Sequence, residues 1–381
     1  MRRWVAILGF CLVACSQTTG NPIADATPSP AKTATPSPSP SATLTADLPL
    51  MTVDFHCQLP VIDSSNSGAD PFAFNGAFVS FPTAVLTSDP AGGIHLDSNG
   101  ELTTDASPTL HSSGLSSPPF YDRAQRRWVP AASFRSTPDG ASYAYVTSDA
   151  SRPTKVEVHI VDVRSAAEKL FQVAIPRYVI GFEVFDFSAA GIYLVGSQVD
   201  RRPAGVWLMN PASGAIRPLV NAADMMAVRY GYGWLGRLDP RDPAPPKPVK
   251  GGQPFNSIIR VDLATGVRMT WFYRPGAGVE LMGFDGKGRP VVSVFDPSGL
   301  SGRSESRLVT APGEQGILIY AGTLSLGPLQ GDGDRLWFGG STGFGGTAGI
   351  YLYTQARGLQ KVFAFTGGKP DHVVTPVGPC E

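Results

Sequence analysis

Ile258-Ile259-Arg260-Val261-Asp262-Leu263-Ala264-Thr265-Gly266-Val267-Arg268-Met269-Thr270-Trp271-Phe272-Tyr273 is two strand-length runs joined by a short turn. β-Branched and aromatic residues fill both runs, and Ala264-Thr265-Gly266 supplies the φ > 0 position that a tight hairpin needs. The same pattern returns at Phe120-Tyr121-Asp122 with Trp128-Val129, at Val158–Asp162 with Leu170-Phe171, and at Val206–Asn210 with Leu219-Val220. It appears again at Leu308–Thr310 with Ile317–Tyr320 and at Ile350–Thr354 with Val362-Phe363. Marked at Asp122, Asp162, Asn210, Asp262, Thr310 and Thr354, the copies stand 40, 48, 52, 48 and 44 residues apart, close to the roughly 40–50 residues of one propeller blade. The spacing predicts an all-β chain folded as a single β-propeller of four-stranded blades. The fifth blade reads as Val279–Asp285, Pro290–Asp296, Ser306–Pro312 and Gly316–Gly322. Six outer hairpins are visible, and the residue count leaves room for another blade built from both chain ends, so the expectation is seven blades over six.

Composition agrees. The chain of 381 residues holds 43 Gly and 35 Pro and only 16% charged residues, against about a quarter in an average domain, which suits many tight turns and few salt-bridged helices. The formal net charge is zero, so no global field steers the chain to nucleic acid or to an anionic membrane surface, and nucleic acid is not expected as a partner.

The N-terminus is organised as an address. Arg2 and Arg3 precede an apolar run, Trp4–Val13, which is too short to span a bilayer as a helix and reads as a secretory signal. It ends in Leu12-Val13-Ala14-Cys15, which resembles the bacterial lipobox. That resemblance implies a signal peptide over 1–14, lipidation of Cys15, and a protein held to the membrane on its extracytoplasmic side; two acyl chains suffice for stable anchoring. Residues 15–47, with Thr27-Pro28-Ser29-Pro30 and Thr35–Pro40, are a Pro/Thr/Ser-rich tether with nothing to build a core, and the propeller occupies 48–381. Only Cys57 and Cys380 then remain in the folded domain, at its two ends. In an exported protein such a pair suggests a disulfide, and a ring that joins its first and last strands gives the two a reason to be adjacent.

Ser136-Thr137-Pro138-Asp139-Gly140 followed by Ala141–Val146 resembles the Ser-Pro-Asp-Gly turn and following strand of TolB-like propeller repeats. Phe187–Gly191, Asp285–Gly288 and Gly331–Asp334 stand in the equivalent places with divergent residues. The resemblance implies the architecture over about 45–381 and no particular activity.

Candidate functional residues come from loop length. Connections between second and third strands are long and varied, as at Gly236–Phe255, and elaborate loops on one side of a rigid scaffold are where binding usually sits. Arg201, Arg202, Arg237, Arg241, Lys247, Lys250 and Arg303 fall in them, and Tyr230, Tyr232 and Trp234 are a nearby aromatic group suited to a sugar surface. Catalytic signatures fail: Gly339-Gly340-Ser341-Thr342-Gly343 lacks the helix that a nucleophile elbow requires, and the five histidines show no metal-ligand spacing. The sequence therefore predicts a monomeric, non-catalytic surface lipoprotein that binds an envelope protein or glycan, with no cofactor and no metal. The alternative is an exported propeller enzyme, a lyase, glycan hydrolase or quinone-dependent sugar dehydrogenase, which would need titratable groups converging at the central channel.

Overall fold

The computed structural model describes residues 48–63, 74–98, 100–113, 118–148, 154–198, 202–221, 224–243, 254–298, 302–341, 348–365 and 374–381. Cys15, the tether, Arg201, Lys247 and Lys250 lie outside them. The first sheet contains β1 (Cys57–Asp63), β2 (Phe74–Phe81) and β3 (Val85–Leu96), and continues outward into β4 (Glu101–Thr104) and β5 (His111–Ser113). A separate two-stranded ribbon follows, β6 (Phe120–Asp122) and β7 (Arg127–Val129). The second sheet is β8 (Ser142–Thr147), β9 (Lys155–Asp162) and β10 (Glu168–Ala174). Four regular blades come next, each with its strands in chain order. They are β11 (Gly181–Ser188), β12 (Gly191–Ser197), β13 (Pro203–Met209) and β14 (Ile216–Val220), then β15 (Met225–Arg229), β16 (Tyr232–Arg237), β17 (Ser257–Asp262) and β18 (Arg268–Tyr273). The fifth is β19 (Gly278–Phe284), β20 (Pro290–Phe295), β21 (Ser304–Leu308) and β22 (Ile317–Gly322), and the sixth is β23 (Ser325–Asp332), β24 (Arg335–Ser341), β25 (Ala348–Thr354) and β26 (Gly358–Ala364).

The last strand, β27 (Val374–Pro376), returns to the first sheet and pairs antiparallel with β1 through Val61–Pro376, Ile62–Thr375 and Asp63–Val374. Both chain ends thus build one blade, whose innermost strand is the C-terminal one. The ladder continues past β27: Val377 N–H donates to Pro60 O, and Gln58 and Glu381 exchange backbone hydrogen bonds of 2.7 and 3.0 Å. Cys57 and Cys380 are joined by a disulfide with Cα atoms 5.5 Å apart, so the expected pairing is present.

The propeller has six blades, not seven. Five of the six hairpins read from the sequence are the third and fourth strands of a blade, but Phe120–Val129 is the β6–β7 ribbon and belongs to no four-stranded sheet. Local chemistry explains the misreading. In the true outer hairpins Asp162, Asn210 and Asp262 accept hydrogen bonds from turn amides two and three residues on, and Asp122 accepts one from Gln125 N–H in the same way. The repeat mark therefore reports a turn, whatever sheet that turn serves. The second blade in turn lacks a regular innermost strand: a 3₁₀ turn at Ser133–Arg135 and a bridge between Ser136 and Tyr143 stand in its place. The Thr137–Gly140 segment beside it is the turn expected there, with Gly140 at φ +68° donating its N–H to Thr137 O.

Alternation of side chains sends one face of each sheet toward each neighbouring blade, so the core is six wedges and not one ball. Leu59, Val79, Trp337 and Ile350 fill the wedge where the ring closes, between the sixth and first blades. Val158, Ile192 and Trp207 fill the wedge between the second and third, and Trp234, Trp271 and Val292 the wedge between the fourth and fifth. Burying a side chain such as Leu194 or Phe338 in these wedges contributes about 1.5–3 kcal/mol.

Candidate functional site

The first-to-second and third-to-fourth strand turns are short and lie at one end of the barrel of strands; the long second-to-third connections and the blade-to-blade crossovers lie at the other. The long-loop face carries four described arginines from the expected set. Arg202, Arg237, Arg241 and Arg303 are all exposed there, and Arg241 pairs with Asp239 at 2.7 Å. The aromatic group does not join them. Tyr230 occupies the tight β15–β16 turn at φ +52° and is 59% exposed, but it sits at the short-turn end, one strand length from Arg237. Tyr232 begins β16 at that same end, with the Arg260 guanidinium 4.3 Å from its ring. Trp234 is 3% exposed, edge-on to Trp271 in the wedge between blades. Alternation along β16 turns Trp234 into the wedge, which removes it from any sugar-binding surface.

The channel at the centre has a built lining. In each regular blade the register between first and second strands shifts within the first strand: between Val184 and Asp186, Met225 and Ala227, Leu281 and Gly283, and Leu326 and Leu329. A bulge leaves one or two residues unpaired and re-aims their side chains. Those residues are Phe185, Met226, Met282 and the Gly327-Pro328 pair, and Phe185, Met226, Met282 and Pro328 all line a central cavity of about 750 Å³. The second blade adds Phe134 from its 3₁₀ turn, and the closing strand adds Pro376 and Val377. The result is an apolar collar to which every blade contributes. Sequence periodicity missed it because a bulge breaks the period; the readable signal was the apolar doublet where alternation fails, Val184-Phe185, Met225-Met226 and Leu281-Met282.

Charge in the channel is paired. Arg135 is buried and meets Glu183 at 2.7 Å; loss of water around the guanidinium lowers its pKa, and the carboxylate opposes that. At the short-turn end Asp285 pairs with Arg289 at 2.6 Å and Asp332 with Arg335 at 2.8 Å. Asp186, beside the channel and buried, pairs with Arg229 at 3.0 Å, and burial still pushes its carboxyl up. Among the described residues of the lining, these carboxylates serve as partners to arginine, and no hydroxyl–imidazole pair of the kind that activates a nucleophile stands among them.

The cavity reaches the short-turn face, where Tyr230, Gly286 and Gly333 rim it and are exposed. Here the fifth and sixth blades meet backbone to backbone: a Cβ on Gly286 would stand 2.6 Å from Gly333 N, and one on Gly331 2.6 Å from the Asp285 carbonyl carbon. Glycine is required by that approach. Asp332 also accepts hydrogen bonds from Cys380 N–H and Trp337 Nε1–H, tying the rim to the closing strand.

These features define a six-bladed β-propeller whose channel carries an apolar collar among paired charged and polar residues. No protein family model matches the sequence, and no curated protein matches it. Solved structures similar to it include the β-propeller domain of the Trilobed protease from Pyrococcus furiosus, at 10% identity over 76% of this chain and 81% of that one, with a TM-score of 0.45. TolB from Acinetobacter baumannii is 12% identical over 85% of this chain and 67% of that one, with a TM-score of 0.42. A prolyl endopeptidase is 13% identical over 83% of this chain and half of its own length, at 0.46. At these identities and scores nothing about activity carries over to this chain.

Proposed function

We propose that the chain is an extracytoplasmic lipoprotein, held to the membrane through Cys15, whose propeller binds an envelope protein without catalysis by taking an apolar segment of that partner into the central channel. The observation that carries this reading is the collar. Apolar surface turned into an open cavity by repeated bulges is stabilising only when something covers it, at about 25 cal/mol per Å² removed from water. The paired carboxylates favour binding over acid–base chemistry, since a general acid or base works near its operating pH and an arginine partner favours the ionised carboxylate. The Cys57–Cys380 bond suits an oxidising compartment, and the lipobox-like Leu12–Cys15 supplies the anchor. An apolar collar suits a polypeptide segment better than a glycan.

The test is partner capture from detergent-solubilised envelope by the full lipidated chain, wild type against Met282→Trp, which fills the channel, and against Arg237→Glu, which changes the long-loop face. Loss of a specific partner with Met282→Trp alone is expected. Loss with Arg237→Glu alone, or turnover of any envelope glycan by the wild type, overturns the channel reading.

A further inference from the structure

The outward extension of the first blade carries a second group of chemistry-bearing side chains, none of which lines the channel. Asp97, Glu101 and His111 bring two carboxylate oxygens and one imidazole nitrogen within 4.8 Å of one another, and we propose that they bind a divalent transition ion of the zinc class. The elements explain the convergence. β3 and β4 are joined by a tight turn in which Gly100 takes φ +79° and donates its N–H to Asp97 O. The turn brings Asp97 back beside Glu101, whose backbone N–H donates to Asp97 Oδ1 at 3.0 Å. β5 pairs with β4 so that His111 stands opposite Thr103, two residues along from Glu101 and on the same face of the sheet.

The Asp97 carboxylate and the strand that carries His111 are held by something other than the ion. The Glu101 N–H bond orients the Asp97 carboxylate, as outer hydrogen bonds do for metal ligands. The His111 backbone carbonyl accepts the Tyr143 hydroxyl of the neighbouring blade, which fixes β5 against the second sheet. Neither ring nitrogen of His111 has a hydrogen-bond partner among the described residues. The adjacent His95 is different: its ring lies 3.2 Å from Asp105 and 3.1 Å from Thr103 Oγ1, so both its nitrogens are engaged and it stays outside the donor set.

The chemistry selects the ion. One imidazole and two carboxylates offer the nitrogen and oxygen donors that zinc accepts and leave a further position to water, whereas calcium takes six to eight oxygens and magnesium a near-ideal octahedron of oxygens, and the imidazole nitrogen tips the set away from both. Two carboxylates also balance the dication. Bound there, the ion would staple the β3–β4 turn to β5 and so hold the extension against the second blade.

Equilibrium dialysis of the untagged full chain against zinc chloride tests the site, with His111→Ala, Glu101→Gln and, as a control on another exposed imidazole, His56→Ala. Wild type and His56→Ala should take up zinc at the same affinity and rise in melting temperature with it, while His111→Ala and Glu101→Gln should each bind at least tenfold more weakly. The two test substitutions lie at exposed or half-buried positions, and the melting temperature without metal reports whether each has folded. Zinc binding that survives both substitutions overturns the proposal, as does a wild type that binds calcium in place of zinc or takes up neither.

Discussion

The two faces of the propeller are built on opposite principles. On the short-turn face the connections are two to eight residues long, glycines allow backbones to touch, and the disulfide and the channel mouth share the same rim. On the long-loop face the connections are long and basic, yet the longest is pinned at its base. Asp239 N–H donates to Asn256 Oδ1 at 2.7 Å, Asn256 Nδ2–H donates to Asp242 at 2.7 Å, and Gly276 N–H donates to Asp242 at 2.9 Å, with all three side chains buried. Loop length alone pointed to the second face as the functional one. The lesson is that length records freedom to vary, while a cavity records what the scaffold has been shaped to hold.

The strongest way to break this comparison is at the closing rim. Cys380→Ser, or reduction, opens a cross-link between residues 323 apart, which in the chain-entropy account contributes about 5–6 kcal/mol. The melting temperature followed by circular dichroism should fall by on the order of 10 °C while the β-rich spectrum at low temperature persists, because the β1–β27 ladder remains. An unchanged melting temperature would show that the ladder alone closes the ring.

A smaller effect sharpens the other face. Asp242→Ala should cost about 1–3 kcal/mol in denaturant unfolding, since it strips Asn256 and the Gly276 amide of a buried acceptor. Replacing Ala244–Gly252 by a short Gly-Ser link should change stability by less than about 0.5 kcal/mol. The buried Asp242 carboxylate belongs to the anchor, so any dispensable stretch of this loop begins after it. Equal losses from both changes would mean that the loop beyond Pro243 packs into the blades.

The smallest expected effect is a pH slope. The Arg241 guanidinium holds the Asp239 carboxyl down at about 2, below its ordinary 3.8. The unfolded chain therefore takes up the proton first, and the stability from this pair is present above pH 3.8 and lost as pH falls to about 2. Because Arg241 is 80% exposed, the contribution stays below about 1 kcal/mol, and Arg241→Ala should flatten the acid limb of the stability curve by that amount. Asp186, near the short-turn end, has the opposite sign: its folded pKa is raised by burial, so its contribution shrinks as pH climbs from the unfolded value to the folded one. A common slope for both groups would erase this distinction between the faces.

What the sequence disclosed was whatever obeys a short period. The outer hairpins were legible because two-residue alternation and turn acceptors such as Asp262 are local. Cys57 and Cys380 were legible because only two cysteines remained to be paired. Blade number was not, since Asp122 imitates an outer turn and the first blade is assembled from residues more than 300 apart. The collar was not, since a bulge is a departure from the period being read. His111 and Glu101 were passed over because ten residues and a strand connection separate them, and only the β4–β5 register makes them neighbours.

Leu50 forms a parallel bridge with Lys361 of the outermost strand of the sixth blade, and Met51 N–H donates to Lys361 O at 2.8 Å. Tension applied to the preceding chain would therefore be delivered first to the sixth blade and then, six residues beyond Met51, to the Cys57–Cys380 covalent link. Force entering there is shared between both ends of the polypeptide before it can peel any strand from the second to fifth blades. If Cys15 anchors the chain as proposed, the joint of the ring is also its strain relief.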